Sequence, residues 1–285
     1  MYIIADSSST RTEWVLVEGR KIVSRAITRG LNPYLLTRRE ISHCIRLELP
    51  EEFFKRRWEH IFFYGAGCSN PEKNKILENS LIAQFRTPVT INSDLLGAAR
   101  GMFVRSKGLA CILGTGSNSC VYDGEKILYN IRPGGYILGD EGSACDFGKN
   151  FVNDCLKGLA PKDLIEEFYS YFSLTPDNIH DEIYTGTYPN ETLARYSSFL
   201  IPNQKHPYVE NLVKSRYREF FIRSISQYKD YKELSIAFVG RNAVNYEELL
   251  RSVAEEFGVK IDNITDRSIP GLIEYHSAEF SSSIS

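Results

Sequence analysis

At 285 residues the chain is long enough for two ordinary domains sharing a cleft and for a sizeable buried core. Its 34 Lys plus Arg stand against 36 Asp plus Glu, a net charge of -2, which excludes any bulk electrostatic pull toward nucleic acid or an anionic membrane. With 42% hydrophobic and 25% charged residues it is neither a disordered nor a collagen-like chain, and no apolar run nears the roughly 20 residues of a membrane span.

A strand is expected over residues 2–5, at once after Met1, with neither the basic leader nor the long apolar stretch of a secretory signal; a cytoplasmic protein is the expectation. Strands over 13–17 and 21–25, joined by a turn at Gly19, complete a β-meander. A helix over 37–49, a strand over 60–64 ending at Gly65-Ala-Gly67, and a helix over 71–85 follow. A short strand over 89–92 runs into a helix starting near Ser93-Asp94. The meander then recurs as strands over 109–113, 119–122 and 126–130, with a turn at Gly124. Aligned on itself, the chain sets Ser9-Thr10 on Gly114-Thr115, Gly19 on Gly124 and Lys21-Ile22 on Lys126-Ile127, which points to two similarly folded halves.

Residues 147–231 read as mainly helical, broken near Pro161, Pro176, Pro189 and Pro202. A strand over 234–239 and a helix over 246–257, closed by Gly258, come next, before a Ser-rich tail over 281–285 that is expected to fray. Helices alternating with strands after each meander indicate an α/β protein. The six cysteines never form Cys-x-x-Cys and the five histidines lack ligand spacing, so free buried thiols are expected rather than a structural zinc site.

Several loops carry chemistry-bearing residues. In Asp6-Ser-Ser-Ser-Thr-Arg-Thr12 small residues allow a tight turn, so that backbone amides and the hydroxyls of Ser9, Thr10 and Thr12 can face a phosphate while Asp6 holds a water on Mg2+. A polar hairpin turn capped by Asp6 is the alternative. Gly114-Thr-Gly-Ser-Asn118 is a cleaner cradle: Gly114 and Gly116 permit close backbone approach, and Thr115, Ser117 and Asn118 supply donors. It lacks the lysine and following helix of a Walker loop. Asp94, where a strand hands over to a helix, can act as a general base for a hydroxyl attacking a γ-phosphate; equally, Ser93 or Asp94 suits a helix N-cap.

Gly134-Gly-Tyr-Ile-Leu-Gly-Asp140-Glu-Gly-Ser143 combines bare backbone with adjacent carboxylates, a pattern that fits vicinal sugar hydroxyls, or else a helix N-terminus. Asn32, in the polar loop after the first meander, can offer a donor and an acceptor to a ligand, or can make a plain turn. Gly240, in Phe238-Val-Gly-Arg-Asn-Ala243, can admit an adenine ring to bare backbone, or sit in an ordinary βα turn.

Together these segments, from Asp6 to about His276, resemble the actin, hexokinase and sugar-kinase superfamily, and within it the N-acetylglucosamine kinase and benzoyl-CoA-reductase-activator ATPase family. The family's Gly-Thr-Gly-Ser-Asn and Gly-Asp-Glu-Gly-Ser motifs are matched letter for letter. The resemblance implies a duplicated ribonuclease H-like fold of two domains with an interdomain nucleotide cleft. The domains would span residues 1–105 and 106–269, the latter with a helical insertion, and a helix over 270–285 would return to the first. It further implies Asp94 as catalytic base, Asp6 as organiser of Mg2+, and ATP phosphates on Ser9, Thr10, Arg11, Thr12, Gly114, Thr115, Gly116 and Ser117. Gly240 and Arg241 would border the adenosine, and Asn32, Gly67, Asp94, Gly134, Gly135 and Asp140 would meet the sugar.

Two departures stand out. Ser8 occupies a position where the family usually has Gly, so a need for positive φ there would strain or shift the loop, and Arg241-Asn242 replace small or apolar residues. The resemblance implies an ATP-dependent kinase for the 6-hydroxyl of N-acetylglucosamine or N-acetylmuramic acid, acting as a homodimer, with no nucleic-acid or membrane partner. Its alternatives are an activator-type ATPase with a [4Fe-4S] cluster between subunits, and a sugar or nucleotide sensor whose altered first loop has lost catalysis.

Overall fold

A computed structural model describes residues 1–281; the serine tail over 282–285, and with it the end of the helix expected over 270–285, lies outside the described residues. In chain order the elements are β1 (Tyr2–Ser7), β2 (Arg11–Glu18), β3 (Lys21–Arg29), α1 (Arg38–Glu48), β4 (Ile61–Gly65), α2 (Pro71–Phe85), β5 (Val89–Ser93) and α3 (Asp94–Phe103). There follow β6 (Gly108–Leu113), β7 (Ser117–Tyr122), β8 (Ile127–Ile131), α4 (Gly135–Leu138), α5 (Ala144–Leu156), α6 (Lys162–Phe172), α7 (Asn178–Tyr184), α8 (Pro189–Tyr196) and α9 (Pro207–Arg223). The remainder is β9 (Ile236–Val239), α10 (Arg241–Asn245), α11 (Glu247–Glu256), β10 (Ile261–Thr265) and α12 (Ile269–Ser281).

The chain divides into two units. One comprises Met1–Lys107, Tyr122–Ile127 and the segment from Arg267; the other comprises Gly108–Val121 and Leu128–Asp266. Their sheets have matching orders, β3-β2-β1-β4-β5 and β8-β7-β6-β9-β10, so the duplication read from the two meanders extends to all five strands. β1 pairs antiparallel with β2 and parallel with β4, and β9 pairs parallel with both β6 and β10.

In the first unit, period-two alternation sorts side chains onto two buried faces. Ile3, Ala5, Trp14, Leu16, Ile61 and Phe63 pack in a core with residues of α1 and α2 such as Ile41, Ile45, Leu77 and Leu81. Tyr2, Ile4, Val15, Val17, Phe62 and Tyr64 pack on the opposite side with Ile269, Leu272 and Ile273 of α12. Helices α3 and α12 approach so closely that a Cβ on Gly271 would overlap the Gly101 carbonyl, and one on Gly101 would lie 2.7 Å from the Ser268 carbonyl. In the second unit one large core joins Leu109, Cys111 and Leu113 of β6 to Phe147 and Phe151 of α5, Tyr217 and Phe221 of α9, and Leu250 and Val253 of α11. Among the described residues no helix is long and apolar enough to cross a membrane.

Several elements differ from the sequence expectation, the four-residue helix α4 among them. Residues 241–245, read as part of a βα turn, form the short helix α10, and β10 was not anticipated because its Asp262 and Asn263 are exposed and its pairing with β9 shifts register between Ile261 and Asn263.

Candidate functional site

Strand parity sets the first carboxylate. Asp6 follows Tyr2 and Ile4 on the α12 side of β1 and stands in register with Glu13 on β2 and Tyr64 on β4. The Ser268 side chain, just before α12, hydrogen-bonds it. Burial pushes its pKa up to about 6; the Ser268 bond acts the other way, and the charges of Asp94 and Glu13 add to the rise.

Asp94 opens α3. Ser93 takes the cap, its Oγ accepting from Leu96 N at 3.2 Å, so the N-cap role that sequence left open between the two falls to Ser93. Asp94 Oδ1 accepts from Leu95 N at 2.9 Å, and burial pushes this carboxyl also to about 6. Asn92 lies opposite Tyr64 in the β4–β5 ladder, and its Nδ2 is buried with no hydrogen-bond partner among the described residues; sequence reading passed over it although it adjoins the Ser93-Asp94 pair.

The turn between β1 and β2 is closed by Ser8 N donating to Arg11 O at 2.9 Å, with Ser8 Oγ donating to the same carbonyl at 3.1 Å. Among the described residues Ser8 is not one of the non-glycine positions with positive φ, so the expected strain is absent. Ser8 and Thr10 are exposed, whereas Ser9 and Arg11 are half-buried. Thr12 requires a correction: it is fully buried, and its hydroxyl donates to Arg29 O at 3.0 Å and pairs with Ser7 Oγ at 2.8 Å, so it braces the sheet rather than facing a phosphate.

The Asn32 and Gly67 loops meet. Gly67 has φ 77, and a Cβ there would overlap Asn32 Oδ1. That oxygen accepts from Tyr34 N at 2.9 Å, so part of the acceptor capacity expected for a ligand is already spent on an Asx turn. A Cβ on Gly30 would overlap the Ser8 and Ser9 carbonyls, which brings the chain before Asn32 against the first hairpin turn.

In the second unit the turn Gly114–Gly116 is tighter than its counterpart, with Gly114 N donating to Gly116 O at 2.9 Å. The carbonyls of Gly114 and Thr115 accept from Ala144 N (2.9 Å) and Cys145 N (3.1 Å) at the start of α5, which Ser143 caps through Asp146 N. With the Gly114 and Thr115 carbonyls tied back to the helix, those two peptides present their other edge, which carries the Thr115 and Gly116 N–H groups. A Cβ on Gly114 would meet nothing closer than 4.0 Å, so no protein atom requires bare backbone there.

Asp140 folds over this turn, its Oδ1 accepting from Ser117 N at 3.4 Å. Burial pushes its pKa to about 6, against the Ser117 amide and with help from Glu141. Gly134 and Gly135 flank the start of α4 at φ 78 and 74. Gly240 has a reason other than ligand access: a Cβ there would overlap the Leu113 carbonyl at the end of β6. Arg241 is exposed at the first position of α10. Asn242, part of the second departure, is buried and donates through Nδ2 to Gly142 O at 2.8 Å, linking the Gly240 loop to the acidic loop. A further brace escaped sequence reading: buried Asp146 pairs with Arg216 Nε at 2.8 Å and accepts from Gly142 N at 3.0 Å.

All six cysteines are buried, and burial raises every thiol pKa. Among the described residues no group of three or more His, Cys, Asp and Glu could hold a metal ion.

No family model matches the chain, and no curated protein does. Among solved structures, a protein of Porphyromonas gingivalis provisionally named an N-acetylglucosamine kinase is 36% identical, with TM-score 0.94 over 98% of this chain and 100% of its own. A Chromobacterium violaceum protein provisionally given the same name is 14% identical with TM-score 0.66, over 96% of this chain and 98% of its own. The ROK hexokinase of Thermus thermophilus is 15% identical with TM-score 0.54, over 98% and 97%. The last two establish similarity of fold, the duplicated α/β architecture of actin and hexokinase type.

Proposed function

Because the chain belongs to the N-acetylglucosamine kinase and activator-type ATPase family of the actin, hexokinase and sugar-kinase superfamily, we propose that it is an ATP-dependent sugar kinase whose acceptor is the 6-hydroxyl of an N-acetylated amino sugar, N-acetylglucosamine or N-acetylmuramic acid. The observation that carries this reading is Asp94: Ser93 does the capping, and the Asp94 carboxyl, pushed to about 6, is left poised as a general base near neutral pH.

Asp94 accepts the proton of the sugar hydroxyl as its oxygen attacks the γ-phosphate. The peptide edges of Gly114, Thr115, Gly116 and Ser117, and the Ser9, Thr10 and Arg11 hairpin turn, receive phosphate oxygens. Asn32, Gly67, Gly134, Gly135 and Asp140 orient the sugar, and Gly240 and Arg241 border the adenosine. For Mg2+, bound mainly through phosphates and one or two carboxylates, the half-buried Asp6, with the charges of Asp94 and Glu13 near it, fits: it would accept from a metal-held water while Ser268 fixes its orientation. When bound, that ion supplies screening of the phosphate charge. A homodimer acting in the cytoplasm completes the proposal.

The activator-type alternative needs surface thiolates for a shared cluster and draws no support from six buried cysteines. The sensor alternative loses its motive with the unstrained Ser8. The test is ADP release from Mg-ATP with N-acetylglucosamine, N-acetylmuramic acid, glucosamine and glucose, against a sugar-free control. Sugar-dependent ADP with a matching sugar 6-phosphate is expected; ADP release indifferent to every sugar, or none, would remove the kinase.

A further inference from the structure

The second unit holds a negative charge against its own phosphate loop. Asp140 is one of five non-glycine residues with positive φ among the described residues, at 55°. Its conformation is fixed from both sides, Asp140 N donating to Pro133 O at 3.0 Å and Ser143 N to Asp140 O at 3.1 Å. The left-handed backbone turns the carboxylate back on the Gly114–Gly116 turn. Oδ1 takes the Ser117 amide at 3.4 Å, and Oδ2 stands 2.9 Å from where a Cβ on Gly116 would be. Beyond these two backbone bonds, the carboxylate itself makes one long hydrogen bond, to the loop. The loop offers the same peptide edge to an incoming phosphate, and two anions so placed repel strongly in a partly desolvated site.

We infer that Asp140 is a built-in competitor for phosphate on the Gly114–Ser117 loop, and that an acceptor sugar clears the loop by drawing this carboxylate onto its hydroxyls. Asp140 is then a positioning residue that couples the two substrates. It presupposes the sugar contact proposed above for Asp140. The free protein holds nucleotide weakly, the sugar complex holds it well, and by linkage nucleotide tightens sugar to the same degree. An unaccompanied ATP is thereby kept from productive seating, which limits hydrolysis in the absence of acceptor.

The test is calorimetric titration of Mg-ADP into the full chain without sugar, for wild type, Asp140→Asn and Asp140→Gly. Asn and Gly both tolerate positive φ, so both variants keep the turn, and a melting curve verifies that each is folded. Removal of the charge is expected to tighten Mg-ADP by about tenfold in both variants. Wild type is expected to gain a similar factor on saturation with its acceptor sugar, and the variants none. A carboxylate that merely caps Ser117 N would give the reverse: variants that bind Mg-ADP no better than wild type, or worse, overturn the competition. The sugar-free comparison decides this point even if no sugar is phosphorylated, an outcome that would retire the kinase proposal separately.

Discussion

Ser268 hydrogen-bonds Asp6 although the two lie at opposite ends of the chain, and the contact holds the Asp6 carboxyl below the value that burial alone would impose. The close crossing of Gly101 and Gly271 sets the depth at which α12, and with it Ser268, rests on α3. Ser268→Ala is expected to raise the Asp6 pKa further and to lower sugar-dependent turnover at neutral pH by roughly three- to tenfold. The loss should shrink as pH rises, which a pH series of kcat/KM would show; a pH-independent loss would mean that Ser268 acts only by packing.

Ser93 and Asp94 divide two roles that are adjacent in sequence, and their substitutions should separate cleanly. Ser93→Ala should cost about 1 kcal/mol of stability through the lost cap. Asp94→Asn, which removes a buried charge, should melt no lower than wild type at neutral pH, retain nucleotide binding, and reduce transfer by about 10²–10⁴-fold. Near-normal turnover in Asp94→Asn would remove it from the mechanism.

Activity and stability should respond oppositely to acid. Asp6 and Asp94 have pKa values raised from 3.8 to about 6, so each is protonated in the folded protein at a pH where the unfolded chain is still ionised. The folded state therefore binds more protons between these values, and their contribution to stability grows as pH falls through about 6 toward about 4. A general base must be ionised, so kcat/KM should fall over the same range. Because other groups also titrate, the stability effect is best read as the difference between wild type and Asp94→Asn in parallel melting series; a difference flat with pH would contradict the raised Asp94 value.

Gly67→Ala would drive a methyl group into the Asn32 carboxamide at a backbone angle suited to glycine. Its expected signature is a KM for sugar raised by about tenfold or more with Mg-ADP affinity unchanged, alongside a stability loss of roughly 1–2 kcal/mol. Equal losses for sugar and nucleotide would place the Asn32–Gly67 contact outside the sugar site.

Much of the fold was legible because strands buried on both faces read as continuous apolar runs and their turns are marked by small residues. The helix over Pro71–Phe85 was readable to the residue, since Pro71 follows the capping Asn70. What escaped were facts set by a distant partner. The direction of the Thr12 hydroxyl depends on strand parity and on the Arg29 carbonyl, and Ser268 and Arg216 matter only through Asp6 and Asp146. Gly240 was noticed for a possible ligand, yet its steric reason is the Leu113 backbone more than a hundred residues earlier. Local sequence carries the motif; the tertiary fold decides which of its atoms remain available.

The first unit is assembled from segments on both sides of the second, and α12, which follows the second unit in the chain, covers Tyr2, Ile4, Val15, Val17, Phe62 and Tyr64. During synthesis that face has no helix to lie against until Ile269, Leu272 and Ile273 have left the ribosome, while the second unit already has its whole core available. Asp6 gains Ser268 at the same late moment. A chain cut before Ser268 would thus carry a formed Gly114–Gly116 turn while Asp6 still lacked its partner, so the two carboxyl-bearing halves would mature at different times.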